Sequence, residues 1–362
     1  IIPVWLQLVP GLLLLGLLIW WWMLPDGHTA PVRSVKFNGL ADWVVSGSDD
    51  QSIRLWQVQD KNIKHFQVLG KNQIDKAVRV VRYRPLDNNI VAIGLENGEI
   101  QLWDLLTKKA KKLVSKKDDR VFGLEFTKDS HYLFSGHGNN LVLQWDLQNI
   151  DRLPETSQIL PTPNELKIDF TVSDIALVGN ESKHLAIAGR FNQLVLWDWT
   201  DKINVIPRVI PYFNSGGQDD YITSISVANN NPNLMAVADN QGNISLWNLT
   251  ECLADNKIEC QKLDNWSVDS PVRSISLSAN GCYLTSVGDD QKLMLWPLSK
   301  NQQRSTQFAQ GIKLKQFPKK LNSVDLKLVG KHLLIVTGSD DNEVRLDRTE
   351  TIPGTQCEST QK

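Results

Sequence analysis

Apolar and polar residues alternate in short bursts along most of the chain, and the bursts recur in one order. The first is an alternating run, VRSVKF at 32 to 37, VRVVRY at 78 to 83, ITSISV at 222 to 227 and VRSISL at 272 to 277. Such a run predicts a strand with one apolar face. A run of small and branched residues follows, as in WVVSGS (43 to 48), IVAIGL (90 to 95), HLAIAG (184 to 189) and YLTSVG (283 to 288). A turn rich in Asp, Asn and Gly comes next. It leads into a third run ending in Trp: SIRLW (52 to 56), EIQLW (99 to 103), LVLQW (141 to 145), QLVLW (193 to 197), NISLW (243 to 247) and KLMLW (292 to 296). EVRLD closes the series at Asp347, and successive ends lie 47, 42, 52, 50, 49 and 51 residues apart. That period belongs to a four-stranded unit. Each unit keeps an apolar face that it cannot bury alone, so seven of them are expected to stack around a ring.

One stretch breaks the alternation. Val4 to Leu24 reads VWLQLVPGLLLLGLLIWWWML, with Gln7 as its strongly polar member and no charge. Its 21 residues match the roughly 20 that a helix needs to cross a hydrocarbon core of about 30 Å. Trp20, Trp21 and Trp22 fall where an interfacial aromatic belt forms. A cleaved secretory signal fits less well, because a basic start and a small-x-small cleavage site are missing. Ile1 in place of Met fits either the carboxy-terminal part of a longer protein or a trimmed chain. Arg33 and Lys36 lie downstream of the span and no basic residue lies upstream, a bias that places the body on the cytoplasmic side of a single-pass protein. The expected organisation is a transmembrane helix and linker over 1–26, a repeat body over 27–353 and a disordered tail over 354–362.

The 362 residues are 41% hydrophobic and 22% charged, which excludes long disorder, and a net charge of −1 gives the whole chain no pull on nucleic acid. Four Cys make no disulfide framework and fit a reducing compartment.

In the first repeat, Gly27-His28, the SGSDD turn at 46 to 50 and Trp56 stand in register, and Trp followed by Asp recurs at Trp103, Trp145 and Trp197. On these residues the chain from Gly27 to about Pro353 resembles a WD40-repeat protein, an all-β, seven-bladed propeller. The resemblance implies a hydrogen-bonded network of His28, Ser46 or Ser48, Asp50 and Trp56. Six positions before each repeat end, Asp recurs at Asp50, Asp290 and Asp341, Asn stands in at Asn97 and Asn139, and blades four and five carry Phe191 and Gln241. Those two blades are expected to be held mainly by packing. The anchor leaves no amino-terminal donor for the last outer strand, so Arg348 to Pro353 is expected to supply it, with a weak seam between blades seven and one.

Catalytic signatures are missing: there is no phosphate loop, HExxH, CxxC or nucleophile elbow. No cofactor, metal or small-molecule substrate is expected. His131 and His137 read as loop histidines. Asp49-Asp50, Asp289-Asp290 and Asp340-Asp341 hold the same place in three repeats, which points to turn chemistry rather than calcium or carboxylate catalysis. Cys252 and Cys260 suit either a disulfide or free thiols, and a cytoplasmic body would keep them reduced. The lysine-rich run TKKAKKLVSKKDDR (107 to 120) divides between opposite ends of a blade and reads as a solvated outer edge.

The resemblance also implies a docking rim formed by the early residues of the inner strands. By register these are Arg33, Arg79, Phe122, Ser173, Thr223, Arg273 and Asn322. Three arginines and one aromatic would suit an anionic protein partner. Pro25 to Ala30 reaches only about 20 Å when extended, so the rim should face the bilayer and the partner should be membrane-associated. The expected function is a membrane-tethered interaction scaffold, the carboxy-terminal recognition module of a signalling or assembly protein. The competing expectation is a propeller with a catalytic or ligand-binding central channel. Gly11 and Gly16 are one residue off the GxxxG spacing of helix dimers.

Overall fold

The computed structural model describes residues 27–352, apart from 61, 72, 114–118, 151–162, 202–205, 213–216, 218, 255–257 and 300. The alternating runs form the inner strands of seven antiparallel sheets. In the first sheet Val32–Phe37, Trp43–Ser48, Ile53–Gln59 and Asn62–Leu69 pair in sequence order. Five further sheets repeat this four-stranded meander, and the seventh holds Leu321–Val329, His332–Ser339 and Val344–Glu350. The chain is thus an all-β, seven-bladed propeller. No helix among the described residues is long and apolar enough to cross a membrane. The expected anchor at Val4–Leu24 and the tail at 354–362 lie outside the described residues.

The consecutive buried residues of the second and third strands send side chains to both faces of a blade, and each face meets a neighbour. Seven apolar cores result, one per interface. Val45, Ile53, Val78, Val81 and Trp103 join blades one and two, and Val32, Val35, Trp56, Val336 and Leu346 join blades seven and one. Close approach at that last interface needs a glycine. A Cβ on Gly338 would stand 2.6 Å from Val32 Cγ1.

The turn after each second strand, on what is here termed the top face, has a sevenfold regularity. The residue after the recurrent Asp or Asn position has positive φ in every blade: Gln51, Gly98, Asn140, Asn192, Gly242, Gln291 and Asn342. The preceding acid or amide caps the turn by accepting the N–H two residues on, as Asp50 does from Ser52 (3.1 Å), Asn97 from Glu99 (3.2 Å) and Asp290 from Lys292 (3.1 Å).

Ring closure departs from the expectation. Arg348 to Glu350 continues the third strand of blade seven, with Arg348 opposite Leu334 and Glu350 opposite His332, and no fourth strand pairs with it among the described residues. Leu346 and Asp347 carry straight on into Arg348 without a turn, so that segment cannot fold back as its own neighbour. The outer seam is instead an open hollow of about 530 Å³ lined by Gln59, Asp60, Asn62, His332 and Arg348. Arg348 Nη1 reaches across it to donate to the Asp60 carbonyl at 3.2 Å. The inner wall, by contrast, is tightly joined.

Candidate interaction surface and channel

The inner wall is stitched by side chains that accept backbone N–H groups from the next blade. At the third position of the inner strands, Ser34 accepts from Val81 (3.2 Å), Asp174 from Ile225 (2.8 Å), Ser224 from Ile275 (3.3 Å), Ser274 from Val324 (3.2 Å) and Ser323 from Val35 (3.1 Å). At the fifth position Ser226 accepts from Leu277 (2.9 Å), Ser276 from Leu326 (3.1 Å) and Asp325 from Phe37 (3.0 Å). A strand at the inner edge of its sheet has one row of unpaired backbone groups, and these bonds satisfy part of it. Blades two and three have Val80 and Gly123 at the third position, which accept nothing. There Arg82 and Glu125 pair across the interface at 3.7 Å.

The expected four-residue network of blade one is arranged as follows. His28 Nδ1 stands 2.8 Å from Asp50 Oδ2, His28 Nε2 stands 2.7 Å from Ser46 Oγ, and Trp56 Nε1 donates to the same Oγ at 2.8 Å. Ser48 Oγ donates to the Ala30 carbonyl at 2.9 Å, fixing the entry loop. Burial holds the His28 ring below its ordinary pKa despite the opposing pull of Asp50. Burial raises the Asp50 carboxyl, but hydrogen bonds from His28, Ser52 and Thr29 outweigh it and bring the group down to about 2. The ring is therefore neutral against an ionised carboxylate.

Blades two, five and six keep only the Trp end of this network. Trp296 donates to Ser286 at 2.9 Å, Trp247 to Ser245 at 2.8 Å and Trp103 to Gln101 at 2.8 Å. In blade three Trp145 donates to Ser135 at 3.0 Å, and Ser135 bonds His137 at 2.9 Å. His137 is thus a buried network member at the end of a strand, correcting its reading as a loop histidine. Its signal was its place two residues after Ser135, which puts both side chains on one face of the strand. Trp197 of blade four buries its indole N–H with no partner, in keeping with a blade held by packing.

The paired acids divide their work. The second of each pair caps the turn, and the first binds a rim cation. Asp49 takes Arg33 (Nε at 2.8 Å) and Arg79 (3.5 Å), and Glu96 takes Arg79 and Arg120. Asp340 takes Arg33 (3.4 Å) and Asn322 (2.7 Å), while Asp289 takes Arg273 and Lys320 (2.7 Å). Arg33, Arg79, Arg273 and Asn322 do lie on the top face, but each is tied to a carboxylate, so the rim is not the unopposed basic surface expected. Sequence reasoning assigned Asp49, Asp289 and Asp340 to turns because the partner arginine sits on another strand or blade.

The remaining register positions, Phe122, Ser173 and Thr223, carry no charge. Ser173 and Thr223 turn their hydroxyls inward, donating to the Ala188 and Ala238 carbonyls at 3.2 and 3.1 Å. Phe122 is half-buried. Beside them Phe191 and Tyr221 remain 39% and 37% exposed. Phe191 has φ +60°, a conformation that costs an aromatic residue about 1–2 kcal/mol. Its N–H donates to the Asp220 carbonyl at 2.7 Å, joining the blade-four turn to the entry of blade five.

Below the rim the channel widens into a cavity of about 470 Å³. Glu125 lines it, and its carboxyl is pushed up to about 7 by burial and by the Asp174 carboxylate, against the pull of Arg82 and Lys36. Among the described residues no three His, Cys, Asp or Glu side chains converge as a metal site. Between the third and fourth strands of blade five, the buried Cys252 and Cys260 form a disulfide, deciding what the sequence left open.

Residues 23–57 and 260–297 match the family model for the WD domain, G-beta repeat, so the chain carries WD40 repeats. The two matched segments include Trp56 and Trp296 of the third strands of blades one and six. Among similar proteins, transducin beta-like protein 3 of Rattus norvegicus is 23% identical over 176 residues, 47% of this chain and 21% of that protein. A guanine nucleotide-binding protein subunit beta of Zea mays is 30% identical over 130 residues, 34% of this chain and 33% of that one. Target of rapamycin complex subunit LST8 of Mus musculus is 21% identical over 122 residues, 34% and 36% of the two chains. The matched stretch spans about a third or less of each relative.

Proposed function

We propose that this chain is a non-catalytic protein–protein interaction scaffold, tethered to a membrane by Val4–Leu24 and serving as the recognition module of a larger signalling or assembly protein. Support comes from relatives named as a subunit of a guanine nucleotide-binding protein and a subunit of a target of rapamycin complex, both parts of assemblies. The partner docks on the top rim, on the sector over blades three to five where Phe191 and Tyr221 stay exposed. Phe191 is the observation that carries this reading. An aromatic side chain held in a strained left-handed turn, half out in solvent, costs the fold stability and is explained by what it contacts outside it. The short linker keeps that rim near the bilayer, so the partner is membrane-associated. The Cys252–Cys260 bond favours an oxidising side of the membrane over the cytoplasmic side suggested by Arg33 and Lys36.

Phe191→Asn tests the proposal. Asn enters the left-handed region readily, so the variant is expected to gain about 1 kcal/mol of stability, read as a higher urea midpoint. The same variant is expected to lose most of its partner on co-purification from membranes. A stabilised variant that retains the partner would remove Phe191 from the interface.

A further inference from the structure

The last described residues turn back onto the body. After Glu350, the Thr351 N–H donates to the Lys331 carbonyl at 2.8 Å and the Ile352 N–H donates to Tyr283 Oη at 3.2 Å. Ile352 packs on the buried cluster between blades six and seven, whose members include Cys282, Tyr283, Phe317 and Leu333. Cys282 directly precedes the second strand of blade six, Tyr283–Gly288, at the end away from the top face. It is only 2% exposed, and it is disulfide-bonded. The chain has four cysteines, of which Cys252 and Cys260 bond each other. The fourth, Cys357, lies outside the described residues and follows Ile352 by five positions.

We propose that Cys357 is the partner of Cys282, so that a second disulfide staples the chain end beneath blades six and seven. Reach permits it, because five residues extend to about 17 Å while a disulfide sets its two Cα atoms about 5–6 Å apart. The intervening Pro353-Gly354 pair suits the tight turn that brings the chain back. Burial favours a partner from the same chain over a second copy. Cys282 belongs to the cluster that Ile352 packs on, so a neighbour's cysteine would have to displace the chain end. The bond closes a loop that holds Tyr283–Gly288, Lys292–Pro297, Ile312–Gln316 and the whole of blade seven. Blade seven is the one whose third strand, Val344–Glu350, has no outer neighbour among the described residues. A covalent tie to blade six just beyond that strand resists its detachment, and a long closed loop restricts the unfolded chain more than a short one. Formation takes two protons and two electrons from the Cys282 and Cys357 thiols, and oxidised glutathione accepts both, leaving as two molecules of glutathione. The Cys252–Cys260 bond fits the same oxidising surroundings.

Peptide mapping of the full chain in detergent tests the bond. The protein is equilibrated with oxidised glutathione, free thiols are capped with N-ethylmaleimide, and the denatured chain is cut with trypsin in the absence of reductant. The expected product is residues 274–292, which hold Cys282, joined to residues 349–362, which hold Cys357, recovered from protein that runs as a monomer on a non-reducing gel. Reduction should split it into the two peptides. A cap or a glutathione adduct on Cys357, its pairing with Cys252 or Cys260, or two copies of 274–292 joined in a covalent dimer overturns the proposal. Cys357→Ser supplies a second readout. Amide exchange over Val344–Glu350 is expected to quicken by about tenfold or more, while that of Val121–Phe126 in blade three stays as in the wild type. Equal exchange over Val344–Glu350 in the two proteins overturns the role of the bond in holding that strand. The mapping is read on the wild-type chain, so it decides the pairing even where the variant fails to fold.

Discussion

Asp325→Ala is expected to lower the unfolding free energy by about 3–5 kcal/mol, the range for removing one member of a buried ion pair. Asp325 is 7% exposed and joins three elements at once. It accepts the Phe37 N–H at 3.0 Å and the Lys36 ammonium at 2.8 Å from blade one, and the Ser276 hydroxyl at 3.4 Å from blade six. Without it a buried N–H and a half-buried ammonium lose their acceptor. Blade seven has only three strands among the described residues, so its inner wall carries more of the closure than in any other blade. Asp325→Asn keeps an acceptor for Phe37 and should cost less. Burial pushes the Asp325 carboxyl up, but Lys36, Lys327 and the Phe37 N–H bring it below its ordinary value. Its contribution is therefore present above the ordinary carboxylate pKa and lost as pH falls further. Urea midpoints of the two variants check the ranking, and a loss under about 1 kcal/mol for the alanine variant would show that the seam is held elsewhere.

Ser46→Ala should cost about 2–4 kcal/mol, because one hydroxyl serves two buried groups and each costs about 1–2 when left unpaired. The bonds run in one direction. Asp50 accepts from His28 Nδ1, which leaves Nε2 to accept from the Ser46 hydroxyl, and that oxygen in turn accepts from the Trp56 indole. A protonated ring would turn Nε2 into a second donor and break this sense. With its folded pKa held below 6.5 by burial, His28 takes up a proton more readily in the unfolded chain. Its contribution is full above pH 6.5 and lost as pH falls through that value. Asp50, down at about 2, adds a further loss between about pH 4 and 2. His137, also lowered by burial, contributes in the same direction as His28. Urea midpoints at pH 7.5 and 5 should therefore fall with acid, and His28→Asn should reduce that fall. An unchanged slope would place the acid sensitivity outside this network.

Much of the fold was legible because its signals are local. Val32–Phe37, Trp43–Ser48, His184–Gly189, Val272–Leu277 and Tyr283–Gly288 begin and end where the alternation placed them, since a strand with a buried face must repeat every second residue. The first strand of blade two ran one residue further, to Arg84, where the last pairing slips to Asp87. The candidate surface was legible only in part. Register placed Arg33, Arg79 and Arg273 on one rim, but a register says nothing about the acid that arrives from another strand. Ser34, Ser224 and Ser276 are the polar members of alternating runs. They are buried because an inner strand turns its edge to the next blade, a property of the ring rather than of the strand.

The sequence by itself determined the strands, the turns and the sevenfold period, all of which depend on residues within one repeat. Only the tertiary structure decided how the ring closes and which acids take the rim arginines. The physical reason is distance along the chain. Ser323 meets Val35 across 288 residues and Arg33 meets Asp340 across 307, and no local pattern carries information about a contact made only when the last blade reaches the first.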